Sequence, residues 1–246
     1  EDEIDKDPYV LLVDGIGKLS KGNISAWQGI AKSKKTFGIT LTVAGLVRGE
    51  SLHPKFQPVA GGKLVWIDTE QSPYDAQKVT KRLFKMCGGD YNLLFYALRK
   101  YGAKTRVQKI EAILEKYKGQ MDCLIIDGIR DLIIDFNDPV ESSEITTKLM
   151  AWSIDYNIHI SVVLHANKSD GNMRGHLGTE LENKCETVFA VKKDEQYKDV
   201  SHIEEKFGRG KNVEPFKFKV NAEGLPELVD DDHILVDDDD TPPWER

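Results

Sequence analysis

The stretch Gly29-Ile30-Ala31-Lys32-Ser33-Lys34-Lys35-Thr36 decides how this chain is read. The P-loop template is a glycine, four residues, Gly-Lys, then Ser or Thr. Gly29, Lys35 and Thr36 match it, and Lys34 stands where the template has its second glycine. The chemistry asks for a loop between a strand and a helix, with backbone N–H groups turned inward around phosphates. Lys35 is then expected to reach the β- and γ-phosphates of ATP, and the Thr36 hydroxyl to hold Mg²⁺. A glycine at 34 would enter left-handed backbone angles freely. A lysine there costs something in conformation and adds positive charge beside the phosphates. The same eight residues also read as a lysine-rich loop capping a helix.

The flanking sequence supplies the context. GNISAWQ (22–28) reads as a strand running into Gly29, and TFGITLTVAGLVRG (36–49) is apolar at helical spacing and stops at a glycine. KLVWID (63–68) is a compact strand. Ser72, Pro73 and Asp75 then open a helix that reaches about Met86. NLLFYAL (92–98) is a strand, and residues 104–118 repeat apolar positions at helical spacing up to Gly119. CLIID (123–127) and HISVVLH (159–165) read as buried parallel strands. Between them Asp138, Pro139 and Glu141 repeat the cap signature of a helix that ends near Tyr156. A polar loop is expected over 166–178, then strands at 187–193, 202–208 and 216–220 joined by hairpin-like connections. This order predicts an α/β fold with a mostly parallel central sheet, helices on both faces and an antiparallel C-terminal extension. Trp27 and Trp66 are expected in the core.

Composition bounds the rest. The 246 residues suffice for one large α/β domain, and no apolar run reaches a membrane span. No secretory signal opens the chain, which begins with Glu and is expected to be a fragment or a processed form. Cys87, Cys123 and Cys185 are widely spaced, which argues against a disulfide scaffold or zinc site and for a reducing, cytoplasmic setting. The net charge of −7 is concentrated at the C-terminus, in Asp230–Asp232 and Asp237–Asp240. The rest of the chain is near neutral, so its charge neither announces nor excludes a nucleic-acid partner.

Two acids at strand ends strengthen the loop. Asp127 closes CLIID in the form of a Walker B strand, where an aspartate supports Mg²⁺. Glu70 follows KLVWIDT, where a carboxylate can take a proton from an attacking water. In an open α/β sheet, ligands bind outside the carboxyl ends of the strands, where these groups would meet.

The order glycine loop, V-W-I-D-T-E, L-I-I-D, V-V-L-H resembles RecA-fold ATPases, and among them the plasmid RepA-type hexameric helicase and its relatives in mobile elements. The resemblance spans about residues 10–227. It implies that Glu70 is the catalytic base, that Asp127 is the Walker B acid and that His165 senses the γ-phosphate. It also implies a DNA-facing region around Arg174 and His176, and basic finger residues at Arg209 and Lys211 that reach a neighbouring subunit's nucleotide. The implied organisation is a polar leader (1–9), a RecA-like ATPase domain (10–227) and an acidic flexible tail (228–246). The implied protein works on DNA as a homo-oligomeric ring, such as a hexamer, in replication or mobilisation of a mobile element. Two other readings stay open. One is a degenerate P-loop module that binds nucleotide or DNA with little turnover, which Lys34 motivates. The other is a small-molecule kinase, although the C-terminal third offers no obvious lid.

Overall fold

A strand with no polar face has to be covered on both sides. The segments ISAWQG, KLVWID, MDCLIID and HISVVLH are of that kind and are almost wholly buried. The computed structural model describes residues 7–59, 61–89, 92–167, 171 and 173–229. Along them run β1 (Tyr9–Val13), β2 (Ile16–Ser20), β3 (Ile24–Gly29), α1 (Lys35–Arg48), β4 (Phe56–Pro58), β5 (Lys63–Asp68), α2 (Pro73–Cys87), β6 (Leu93–Ala97) and α3 (Ala103–Lys116). Then come β7 (Met121–Asp127), a short 3-10 turn (Ile129–Leu132), α4 (Pro139–Asp155), β8 (His159–His165), α5 (Gly175–Lys184), β9 (Thr187–Lys193), β10 (Val200–Gly208), β11 (Phe216–Val220) and β12 (Pro226–Val229).

The main sheet has the order β12-β11-β10-β9-β3-β8-β7-β5-β6. From β9 to β6 every pairing is parallel, and β10, β11 and β12 extend the β9 edge antiparallel. Helices α1 and α2 pack on one face around Trp27, Trp66, Ile39 and Leu83. Helices α3, α4 and α5 pack on the other around Ile110, Leu149 and Leu177. Both expected core tryptophans are fully buried, and the Trp27 ring stacks on Phe189 at 4.7 Å. The parallel register brings Gly29 beside His165, and Asp68 beside Asp127. All four therefore stand at one edge of the sheet.

The helix ends follow the sequence signals. Ser72 accepts a hydrogen bond from the Asp75 N–H, and Asp138 accepts from Val140 and Glu141. The differences lie in short elements. VLLVDGIG (10–17), a short apolar run ending in glycines that reads from sequence as one strand, does not form one. Asp14 and Gly15 both take positive φ, fold the segment into the β1–β2 hairpin, and let β1 pair with β4 in a separate three-stranded sheet. The loop expected over 166–178 gives way to α5 at Gly175. β1 begins at Tyr9 and β12 runs to Val229, so ordered strand reaches into both stretches read as leader and tail. Residues 1–6 and the acidic run from 230 lie outside the described residues.

A polar thread crosses this apolar sheet. His159 is fully buried, with Nε2 2.8 Å from Ser25 Oγ and Nδ1 2.9 Å from the Ser20 carbonyl. Ser25 Oγ is 2.8 Å from Ser161 Oγ, which also accepts from Trp27 Nε1 at 3.1 Å. Burial pushes the His159 imidazole down to about 4, outweighing the Ser20 carbonyl. Glu186 Oε1 lies 3.4 Å from Nδ1, but its own carboxyl is pushed up by burial. The folded pKa is below the unfolded one, so the unfolded chain binds the extra proton between about pH 4 and 6.5. This contribution is full above pH 6.5 and is lost as pH falls toward 4. Urea denaturation across that window should show a His159-dependent loss of about 3 kcal/mol, and a His159→Gln protein should lose that part of the slope.

Candidate nucleotide-binding site

The loop after β3 is shaped by close approach. A Cβ on Gly29 would lie 2.5 Å from the Val191 carbonyl oxygen and 2.6 Å from Ser33 Oγ, so only glycine fits there. Ser33 N–H donates to the Ile30 carbonyl, and the Lys34 carbonyl accepts from Phe37 and Gly38, starting α1. Lys34 takes the left-handed backbone conformation, φ +65° and ψ +29°, and Lys32 has φ +64°. Lys34 thus adopts the conformation for which the template keeps a glycine, at a cost of roughly 1–2 kcal/mol. Its Nζ donates to the Asp199 carbonyl at 2.6 Å, tying the loop to the β9–β10 turn. No side chain caps the N-terminus of α1, and no acid lies in its first turn. Such a helix end, with unpaired N–H groups and a positive dipole, suits an anion.

Lys35 is buried and its Nζ has three neighbours. It donates to the Gly29 carbonyl at 2.9 Å, the Ile30 carbonyl at 3.0 Å and His165 Nδ1 at 3.1 Å. An ammonium only donates, so Nδ1 accepts and the ring proton sits on Nε2. Nε2 faces Glu70 Oε2 at 3.4 Å. His165 therefore links the loop lysine to the carboxylate after β5. The hydrogen bond from His165 is the main cause that holds the Glu70 carboxyl below its usual range, helped by Lys35 and Arg130 and opposed by burial. Burial lowers the Lys35 pKa, while Asp127 and Glu70 raise it.

Thr36 Oγ1 donates to Asp127 Oδ2 at 3.2 Å. Asp127 is pushed up to about 7, by burial first and then by Asp68 and Glu70. Asp68 accepts the N–H groups of Glu70 and Gln71 on Oδ1, while its Oδ2 is buried with no hydrogen-bond partner among the described residues. Ser33 Oγ is likewise buried and unpartnered. An orphaned carboxylate oxygen and a crowd of acids beside a threonine hydroxyl fit a divalent cation. Among the described residues no three His, Cys, Asp or Glu side chains could hold a metal alone. Magnesium at phosphate sites takes one or two carboxylates and completes its shell with phosphate oxygens and water.

The structure thus brings together the loop Gly29–Thr36, Glu70, Asp127 and His165. Arg174 is joined to the same edge, since its N–H donates to the His165 carbonyl, and Arg174 and His176 are both exposed there. Arg209 and Lys211 are elsewhere. They follow Gly208, which pairs with Thr187, and the Arg209 N–H donates to Glu186, whose own N–H donates to Ile24. That is the amino edge of the sheet, about 17 Å along β3 from Gly29 at ~3.3 Å per residue. Asp68 was missed from sequence. Its signal was available: an acid ending a buried strand, as Asp127 does on the neighbouring one.

Strand, loop, helix and strand-end acids define a P-loop nucleotide-binding ATPase of RecA-like type. A family model described as an AAA domain matches residues 6–171, and the chain belongs to that family. The match takes in the loop, Glu70, Asp127 and His165, and stops before Arg174, Arg209 and Lys211. No curated protein matches the sequence. No helix among the described residues is long and apolar enough to cross a membrane, and all three cysteines are buried.

The backbone at Lys34 yields a direct comparison. Lys34→Gly and Lys34→Ala both lose the contact to Asp199, but only glycine accepts φ +65° without cost. The glycine protein should be more stable than the alanine protein by about 1 kcal/mol in urea denaturation. Equal stabilities would mean that the left-handed backbone is not strained.

Proposed function

We propose that this protein is an ATP-hydrolysing, RecA-like motor that works on DNA as a homo-oligomeric ring, in replication or mobilisation of a mobile element. The observation that carries the reading is the chain of contacts Lys35–His165–Glu70 beside the Thr36–Asp127 hydrogen bond, all at the carboxyl edge of the sheet. In this reading residues Gly29–Lys34 cradle the phosphates with their N–H groups, and Lys35 meets the β- and γ-phosphates. Thr36 and Asp127 would hold Mg²⁺, which when bound neutralises phosphate charge.

Glu70 is the general base that receives a proton from the attacking water. His165 and Lys35 hold its pKa below the usual carboxylate range. Drawing Lys35 away to the phosphates removes one stabilising cation from Glu70 and raises its basicity. His165 is placed to report the γ-phosphate to Glu70, since it touches both Lys35 and that carboxylate. Arg174 and His176 are the DNA-facing residues. The position of Arg209 and Lys211 on the opposite edge supports an oligomer, in which they serve the nucleotide of a neighbouring copy.

A second reading is favoured by Lys34 and by the direction of Lys35. The Lys35 ammonium is bound to the loop's own carbonyls, and phosphates must displace those contacts. A module that binds nucleotide with little turnover would then result.

Phosphate release, measured with and without single-stranded DNA, separates the two. Lys35→Ala should abolish both nucleotide binding and turnover. Glu70→Gln should keep nucleotide binding and lower kcat by about 100-fold or more. Full turnover in the Lys35→Ala protein would sink the motor reading, and ATP binding without phosphate release in the wild type would establish the second.

A further inference from the structure

We propose that Lys18 and Glu205 are positioning residues that hold the loop bearing Arg209 and Lys211 ready for a neighbouring copy of the chain. The inference rests on the reading that Arg209 acts across a subunit boundary.

The Lys18 and Glu205 side chains are both fully buried, an unusual place for either residue. Lys18 Nζ lies 2.7 Å from Glu205 Oε2 and 2.8 Å from Oε1, and it also donates to the Lys211 carbonyl at 2.7 Å. The three N–H bonds of the ammonium are therefore used, one of them on the backbone of the exposed loop. Glu205 Oε2 also accepts the Val213 N–H at 2.9 Å, and Val213 itself is buried. The carboxylate occupies the space a side chain at 208 would need. A Cβ on Gly208 would stand 1.5 Å from Glu205 Oε1. The strand bulges between Glu205 and Phe207, just before this point.

A buried ion pair is weak evidence of stabilisation, because an apolar pair of the same shape often serves as well or better. What this pair does that an apolar pair would not is grip a loop. Loops that leave a sheet edge are usually its most mobile parts. Here the segment is held at Arg209 by the Glu186 carbonyl, at Lys211 by Lys18 and at Val213 by Glu205. The Arg209 and Lys211 side chains are left exposed. A fixed backbone with two exposed cationic side chains, Arg209 also lying close enough to Glu186 to lower its carboxyl, is how a group is pre-organised for a partner's anion. These side chains border a polar cavity of about 500 Å³ that also includes Tyr9, Ser20 and Glu186. It opens at the amino edge, away from this chain's own P-loop.

The test is subunit mixing. Lys18→Met alone would leave Glu205 buried and unpaired, so the double variant Lys18→Met/Glu205→Leu is used, with its fold checked by circular dichroism. Gly208→Ala is a second variant that keeps both charges and pushes the carboxylate from its seat. Each should bind a fluorescent ATP analogue as the wild type does. Each should turn over ATP about 100-fold more slowly, the scale expected for a misplaced catalytic group. Mixing with Lys35→Ala subunits, whose own P-loop is disabled but whose Arg209 loop is intact, should restore turnover. Arg209→Ala is the control for the underlying reading and should show the same loss and rescue. Wild-type turnover in both positioning variants would overturn the inference. So would failure of Lys35→Ala to rescue them while it rescues Arg209→Ala. If Arg209→Ala keeps full turnover or is not rescued, the reading of Arg209 fails and the inference falls with it.

Discussion

Lys35 carries a positive charge into a place where little water reaches it. Burial lowers its pKa, and the carboxylates around it oppose that. The dependence is mutual. Asp127, Asp68 and Glu70 converge from neighbouring strand ends, and burial, with mutual repulsion added, already pushes Asp127 up to about 7. The lysine, the histidine that bridges it to Glu70 and the threonine on Asp127 are what make so many acids tolerable in one place. The site is therefore a balance of charges set by parallel strand pairing. Lys35 itself is turned onto the loop's own carbonyls at Gly29 and Ile30.

Lys34 shows how a departure from a sequence template can be absorbed. The template's glycine is there for backbone conformation, and Lys34 adopts that conformation anyway. Its side chain is drawn aside to the Asp199 carbonyl, so it does not fill the space above the loop. The residue that looked like a defect connects the nucleotide loop to the β9–β10 hairpin. A lysine is then compatible with the loop shape, and the cost is local strain rather than a lost site.

The two edges of the main sheet have different chemistry. The carboxyl edge gathers acids, a lysine and a helix N-terminus, and suits a phosphate-bearing ligand. The amino edge gathers a buried ion pair, a polar cavity and two exposed cations. In one molecule the edges are separated by the length of β3. An assembly that puts the amino edge of one copy near the carboxyl edge of the next would bring both sets of groups to one nucleotide.

Much of this was legible in the sequence because the responsible interactions are local. Apolar runs such as CLIID and HISVVLH allow only buried strands, and Ser72-Pro73 and Asp138-Pro139 start helices by satisfying their own first N–H groups. The order of loop, Glu70 and Asp127 was readable for the same reason: each is the residue at or just past a strand end. The Asp14–Gly15 hairpin and the pairing of β1 with β4 were not readable, since those strands are too short to carry a period and depend on partners far along the chain. The tertiary structure alone decided that His165 joins Lys35 to Glu70, that Asp68 stands beside Asp127, and that Lys34 finds Asp199. It also decided that Arg209 lies on the far edge, its N–H on the Glu186 carbonyl. The physical reason is one and the same. A sequence specifies what each segment will do with its own hydrogen bonds and apolar faces. Which charges end up beside one another is settled only when the strands take their places in the sheet.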